Sequence, residues 1–223
     1  MALACLLDAL VLEGALAVRV LVACEFSGVV RDAFRRRGHD AWSCDLLPCE
    51  ADPQWHIQGD VLPVLSQGWD MMIAHPPCTY ISYAGTQWWN DKGRVFKRLE
   101  ALQFFAELWE APIERICLEN PKSCASPTIA KYSQEIQPFY FGNRDFKTTW
   151  LWLKNLPLLL HQKHDSLFEM ATHTARPEPY AYNKNGKAIH WTDSHTPSAD
   201  RAGARAKTFP GIADAMADQW GAA

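Results

Sequence analysis

The sequence predicts an α/β fold of the Rossmann-like kind, with a mostly parallel sheet and an antiparallel hairpin toward its C-terminal side. Short apolar runs at residues 18–23, 41–45 and 70–74 are separated by turn signals and helical patterns, as strands covered on both faces are. The first run ends in Cys24-Glu25-Phe26-Ser27-Gly28 and opens into a helical segment. Residues 136–141 and 148–153 then read as two paired strands joined at Gly142-Asn143-Arg144-Asp145.

The first helix is expected over residues 29–37, where Arg35-Arg36-Arg37 suits the negative end of the helix dipole and Gly38 can cap it. Gly28 permits a close backbone approach, and the helix start offers unpaired amides to a ligand. Asp45 ends the second strand about twenty residues past the glycine turn, where an acid can hold ribose hydroxyls. A third short strand at residues 55–58 runs into Gly59-Asp60, which sets a second acid at a strand end, in reach of an adenine amino group. Either acid alone reads as a turn residue or helix cap. Two of them beside a glycine turn favour a nucleoside site.

The fourth strand breaks at His75-Pro76-Pro77-Cys78, a turn that lifts Cys78 to the carboxyl edge of the sheet, where α/β proteins bind ligands. An isolated Pro-Cys more often packs a rigid turn. A loop of aromatics and hydroxyls follows, with Gln87, Trp88 and Trp89 near its end; exposed tryptophans would stack on a base or pack on the domain. Val95, Leu99, Leu102, Phe105 and Leu108 recur at helical spacing from Arg94 to Trp109, so this helix is expected to cover the sheet. The next strand, residues 113–121, ends on Glu119-Asn120-Pro121. Burial would raise the pKa of Glu119 and let it donate a proton to a ring nitrogen; the structural alternative is a cap or an ion pair with Lys122. Beyond residue 161 the periodicity fades, and a last short helix, residues 210–220, sets Ile212, Ala215, Met216 and Gln219 along one side.

A length of 223 residues with 48% hydrophobic content suits one domain with a sizeable core. Seven cysteines without a CxxC pair indicate reduced thiols and a cytoplasmic setting, and no metal-ligand spacing is present. Residues 1–17 are apolar but carry Asp8 and Glu13, so they read as an N-terminal extension or docking helix rather than a leader or membrane span. The net charge of -3 does not mark a nucleic-acid binder. Between positions 176 and 207, however, six basic residues (Arg176, Lys184, Lys187, Arg201, Arg205 and Lys207) face three acids (Glu178, Asp193 and Asp200), and such a patch can follow a phosphate backbone.

Taken in order, Phe26-Ser27-Gly28, Asp45, Gly59-Asp60, Pro76-Pro77-Cys78 and Glu119-Asn120-Pro121 resemble the motif series of the cytosine-C5 DNA methyltransferases, especially the small phage and prophage versions. The resemblance covers most of residues 18–153 and implies a class I methyltransferase fold. By resemblance, Phe26, Ser27, Gly28, Asp45, Asp60 and Pro77 contact S-adenosylmethionine, Cys78 is the nucleophile, and Glu119 engages the cytosine. Asn120, Trp88, Trp89, Arg144 and Lys147 are the accompanying substrate-binding candidates, and DNA is the implied partner.

The chain departs from that family in particular places. Cys24 stands where the first motif usually opens on an acid, and Glu119-Asn120 is followed by Pro121 rather than valine. The Gln-x-Arg-x-Arg segment is not recognisable in residues 142–147, where Arg144 or Lys147 would substitute. The expected division is an extension at 1–17, a catalytic core at 18–154, a reduced recognition region at 155–207 and a C-terminal helix at 208–223 packed on the core. So small a recognition region implies a short or relaxed target, or a partner that supplies specificity. RNA, single strands or a free nucleotide are alternative substrates, and a non-catalytic nucleic-acid-binding relative is the alternative of another class. An amino methyltransferase would need an aromatic residue at Cys78, and a zinc deaminase a second cysteine after it.

Overall fold

The computed structural model describes residues 17–161, 176–186, 188–189 and 207–222. Its main sheet has seven strands: β1 (Arg19–Ala23), β2 (Asp40–Asp45), β3 (His56–Gln58), β4 (Met71–Ala74), β5 (Arg115–Pro121), β6 (Gln134–Ile136) and β7 (Thr149–Lys154). The spatial order is β3-β2-β1-β4-β5-β7-β6. Strands β1 to β5 are mutually parallel, whereas β7 runs antiparallel between β5 and β6. The helices are α1 (Val29–Arg35), α2 (Arg94–Trp109), the short α3 (Ala125–Thr128) and α4 (Pro210–Trp220). This is a Rossmann-like α/β fold, as the sequence predicts. Strand order reverses between β1 and β4, the switch point outside whose carboxyl ends open α/β sheets bind ligands.

The central strands are apolar on both faces because both faces are covered. Val20, Val22, Met71 and Ile73 pack with α1 and α4, while Leu21, Ala23, Met72 and Ala74 pack with Phe105 and Leu108 of α2. The expected role of α2 as a cover holds only for its C-terminal half: Val95 and Leu99 are exposed, along with Phe96. The register of α4 also differs from expectation. Ile212, Ala213, Met216, Ala217 and Trp220 are buried, and Gln219 instead exchanges two hydrogen bonds with the Leu160 backbone, at 2.8 and 2.7 Å.

Helix α4 is seated by contacts distant in sequence. Arg36 and Arg37, expected only to complement the α1 dipole, pair with Asp214 and Asp218 of α4. Gly211 is required at the other end, since a Cβ there would stand 1.9 Å from the Phe141 carbonyl oxygen.

The hairpin is present but shorter than expected: only Gln134–Ile136 is strand, and Pro138–Phe141 turns into a 3-10 helix. Proline removes a ladder donor at that point. Likewise Pro53–Trp55 is a 3-10 turn, so β3 begins at His56, and the loop after Cys78 contains a 3-10 helix at Tyr83–Trp88. Ala181–Tyr182 and Ala188–Ile189 pair as a separate antiparallel hairpin (β8 and β9) inside the region expected to bind substrate. Residues 1–16 of the expected extension lie outside the described residues, as do Lys187, Arg201 and Arg205 of the basic patch. Among the described residues no helix is long and apolar enough to cross a membrane.

Candidate active site

The edge above β1, β2 and β3 gathers acids. Cys24 takes a left-handed backbone (φ 58°), which turns the chain so that the Glu25 carboxylate points back at the start of α1. Glu25 accepts the backbone N–H groups of Val30 at 2.7 Å and Arg31 at 3.3 Å, and the Ser27 hydroxyl at 3.3 Å. The amides of Val30 and Arg31, expected to be open to a ligand, are therefore taken by Glu25. Burial pushes the Glu25 carboxyl upward, against the opposing pull of His75, the two amides and Arg31. Gly28 sits at φ 75°, and a Cβ would meet Arg31 Nη2 at 2.7 Å and Ala51 Cβ at 3.0 Å. The close approach it permits is thus to the protein's own buried arginine.

Asp45 is half-buried and accepts the Leu47 N–H at 2.9 Å, while the exposed Asp60 accepts the Leu62 N–H at 3.1 Å. Both carboxylates are near enough to help burial drive the Cys24 and Cys44 thiols upward, that of Cys44 to about 11. The two acids therefore converge on one place, as their positions at neighbouring strand ends require. Leu46, next to Asp45 in the chain and 73% exposed, is an apolar surface that sequence reading did not single out. The Phe26 carbonyl is used inside the protein, accepting the Glu50 N–H at 2.9 Å.

The edge above β4 and β5 joins the proline turn to the Glu-Asn pair. Asn120 is buried, and its Nδ2 donates to the Pro76 carbonyl at 2.7 Å. His75 Nδ1 lies 3.1 Å from Glu119 Oε2. The loop after Cys78 is sewn to the segment after β5 by Tyr83 N–H to Lys122 O at 2.9 Å and Cys124 N–H to Ile81 O at 3.0 Å. Cys78 and Glu119 are thereby brought to adjacent strand ends, with Cys78 half-buried and Pro77 exposed beside it.

Glu119 behaves oppositely to expectation. Burial alone would raise its pKa, but the His75 hydrogen bond, the nearby Lys147 ammonium and the Thr149 hydroxyl together hold it below the ordinary carboxyl value. Lys122 is not its partner; that ammonium pairs with Glu135 at 2.9 Å. Lys147 thus reaches the site, whereas Arg144 is exposed.

Trp88 is 52% exposed, while Trp89 is partly covered by Tyr83 and by Arg98, whose guanidinium stands 4.7 Å from its ring centre. Arg94 and Lys97 lie over Tyr80 at 4.9 and 5.4 Å. With exposed Phe96, these residues make a basic and aromatic surface, tied to the loop after Cys78 by the Arg94 guanidinium, which donates to the Thr79 carbonyl at 3.3 Å; the helical-spacing argument had assigned Val95 and Leu99 of the same helix to the core. Buried polar atoms are nearly always paired. Here His75 Nε2, Asn120 Oδ1, Trp89 Nε1 and Ser123 Oγ have no partner among the described residues. No cluster of side chains able to hold a metal ion occurs among the described residues.

No protein-family model matches the chain. No curated protein matches it either. Among solved structures that match is a candidate DNA modification methyltransferase encoded within a prophage of E. coli, at 13% identity and a TM-score of 0.39. The match covers 61% of this chain and 46% of that one, so this chain spans about half the length of that neighbour.

Proposed function

We propose that this protein is a methyltransferase that modifies C5 of cytosine in DNA, with S-adenosylmethionine as methyl donor and Cys78 as covalent nucleophile. The observation that carries the reading is the junction of two strand ends, where the Asn120 side chain holds the Pro76 carbonyl at 2.7 Å and so sets the Pro-Pro-Cys turn beside Glu119. The residues present fit the donor. Asp45 and Asp60 converge where ribose hydroxyls and an adenine amino group would be held, and exposed Leu46 offers the adenine an apolar face.

When bound, the donor supplies an electrophilic methyl group. Cytosine C5 is too weak a nucleophile to take it unaided. Cys78, its thiol proton lost to water, adds at C6 and moves the C5–C6 electron pair toward C5, while N3 takes a proton from water. Glu119, held ionised by His75 and Lys147, is an acceptor in the free protein, so its part is to stabilise a protonated N3 and to receive the neighbouring amino group. After transfer, water takes the C5 proton, the C5–C6 double bond re-forms as the Cys78 sulfur leaves with its bonding pair, and N3 returns its proton to water, which restores the ring.

A base in duplex DNA must leave the stack before it can be attacked, and Trp88, exposed in the free protein, would fill the gap. Arg94, Lys97 and Arg98 would follow the backbone without reading sequence. The expected recognition region, residues 155–207, is short and rich in polar residues, which supports a short or relaxed target. DNA carrying 5-fluorocytosine should trap the protein, since fluorine cannot leave as a cation, and Cys78→Ser should abolish the adduct. An undiminished adduct in that variant would overturn the reading.

A further inference from the structure

We infer that His75 is a positioning residue for Glu119: its imidazole, set at the end of the middle of three adjacent strands, fixes one carboxylate oxygen and thereby aims the other at the substrate ring. This rests on the proposed reaction. His75 follows β4 and is clamped to β1 by its backbone N–H on the Ala23 carbonyl at 3.0 Å. Its side chain is only 7% exposed, with Nδ1 3.1 Å from Glu119 Oε2. In the tautomer that carries its proton on Nδ1, the imidazole donates to that oxygen.

The charged groups around it come from both sides. Glu25, itself beside Arg31, approaches from the end of β1; Glu119, itself beside Lys147 from the lead into β7, approaches from β5, and Cys78 lies three residues further along its own segment. Nothing in the architecture needs an imidazole at this position. The clamp to β1 uses only the main chain, and the turn is made by the prolines. A buried ring nitrogen left without a partner is unfavourable, and His75 Nε2 is one. The residue is thus explained by what Nδ1 does for Glu119, whose carboxylate would otherwise swing about its side-chain torsions beside an attacking sulfur that must be placed to within about 1 Å.

The test uses the full chain with His75→Ala and His75→Asn, the asparagine amide being able to take the place of Nδ1 as donor. Single-turnover adduct formation is followed on a 5-fluorocytosine oligonucleotide across pH, alongside calorimetric affinity for S-adenosylhomocysteine. His75→Ala is expected to slow the adduct about 100-fold, to move the acid limb of the profile to higher pH, and to leave cofactor affinity unchanged. His75→Asn is expected to recover most of the rate. Equal rates and limbs in wild type and His75→Ala, or no recovery in a folded His75→Asn, would overturn the inference. In ligand-free protein, the His75 ring nitrogen signals should shift on Glu119→Gln; unshifted signals would overturn the pairing itself. If that shift is seen while wild type traps no 5-fluorocytosine probe, the proposed reaction falls and the positioning role with it.

Discussion

The Asn120 amide and the Pro76 carbonyl, 44 residues apart in sequence, meet at 2.7 Å in a buried hydrogen bond that ties the end of β5 to the turn leaving β4. Parallel strands are linked along their ladders, but beyond their ends each connecting loop is on its own. This bond extends the coupling of β4 and β5 past the sheet, to the point where chemistry is expected.

Asn120→Ala should therefore loosen the Cys78 turn more than it harms the sheet. Loss of the bond leaves the Pro76 carbonyl buried without a donor and is expected to destabilise the protein by about 1–3 kcal/mol. Adduct formation on 5-fluorocytosine should fall more steeply than affinity for the cofactor. Denaturant unfolding and calorimetry check the two halves of this statement.

The convergence of Asp45 and Asp60 is read by nucleoside binding. Asp60→Ala or Asp45→Ala should weaken S-adenosylmethionine by about 1–3 kcal/mol each, the worth of a hydrogen bond to a charged group. Leu46→Ala should weaken it by removing apolar surface from beside the adenine. No heat with wild-type protein at high-micromolar cofactor would remove the nucleoside site altogether.

Stability against pH should show two carboxyls of opposite sign. Glu119 is held below its reference value of 4.5, so its contribution is present above that pH and is lost as pH falls through the lowered folded value. Glu25 is raised above 4.5, so the folded state holds its proton more tightly and stability declines as pH rises from there through the raised value. Glu119→Gln should flatten the acid limb. Glu25→Gln should flatten the decline above it, while one amide of α1 keeps an acceptor. Chemical denaturation between pH 3 and 8 separates them.

The basic surface of α2 should bind polyanions. Neutralising Arg94, Lys97 and Arg98 together is expected to weaken DNA binding and to lower the slope of log K against log salt by about 0.9 for each duplex phosphate that is no longer neutralised. The fold should be little affected, because the cation–π pairs made by these side chains lie at the surface. An unchanged salt slope would place the nucleic acid elsewhere.

Gly211→Ala should cost about 1–3 kcal/mol, since the new methyl would overlap the Phe141 carbonyl and push α4 from its seat. A lowered melting temperature with normal cofactor affinity at low temperature is the expected outcome.

Much of this protein was legible from its sequence because the signals are local. A run of apolar residues buried on both faces reads as a strand wherever it lies, and a glycine turn or proline pair marks the strand end. That sufficed for the Rossmann-like sheet, the hairpin, and the placing of Gly28, Asp45, Asp60, Cys78 and Glu119 at one edge. Tertiary structure alone decided what each of those ends faces. Helical spacing could not tell that Val95, Phe96 and Leu99 stay exposed, since periodicity gives a face and not what covers it. Nor could it tell that Arg37 serves α4, or that Glu25 closes the amides of α1. The charge on Glu119 was the clearest case: burial, foreseeable from a strand end, pushes its pKa up, but His75 and Lys147 come from other strand ends and reverse the sign. Electrostatic partners are set by distance in space, and a chain discloses only distance along itself.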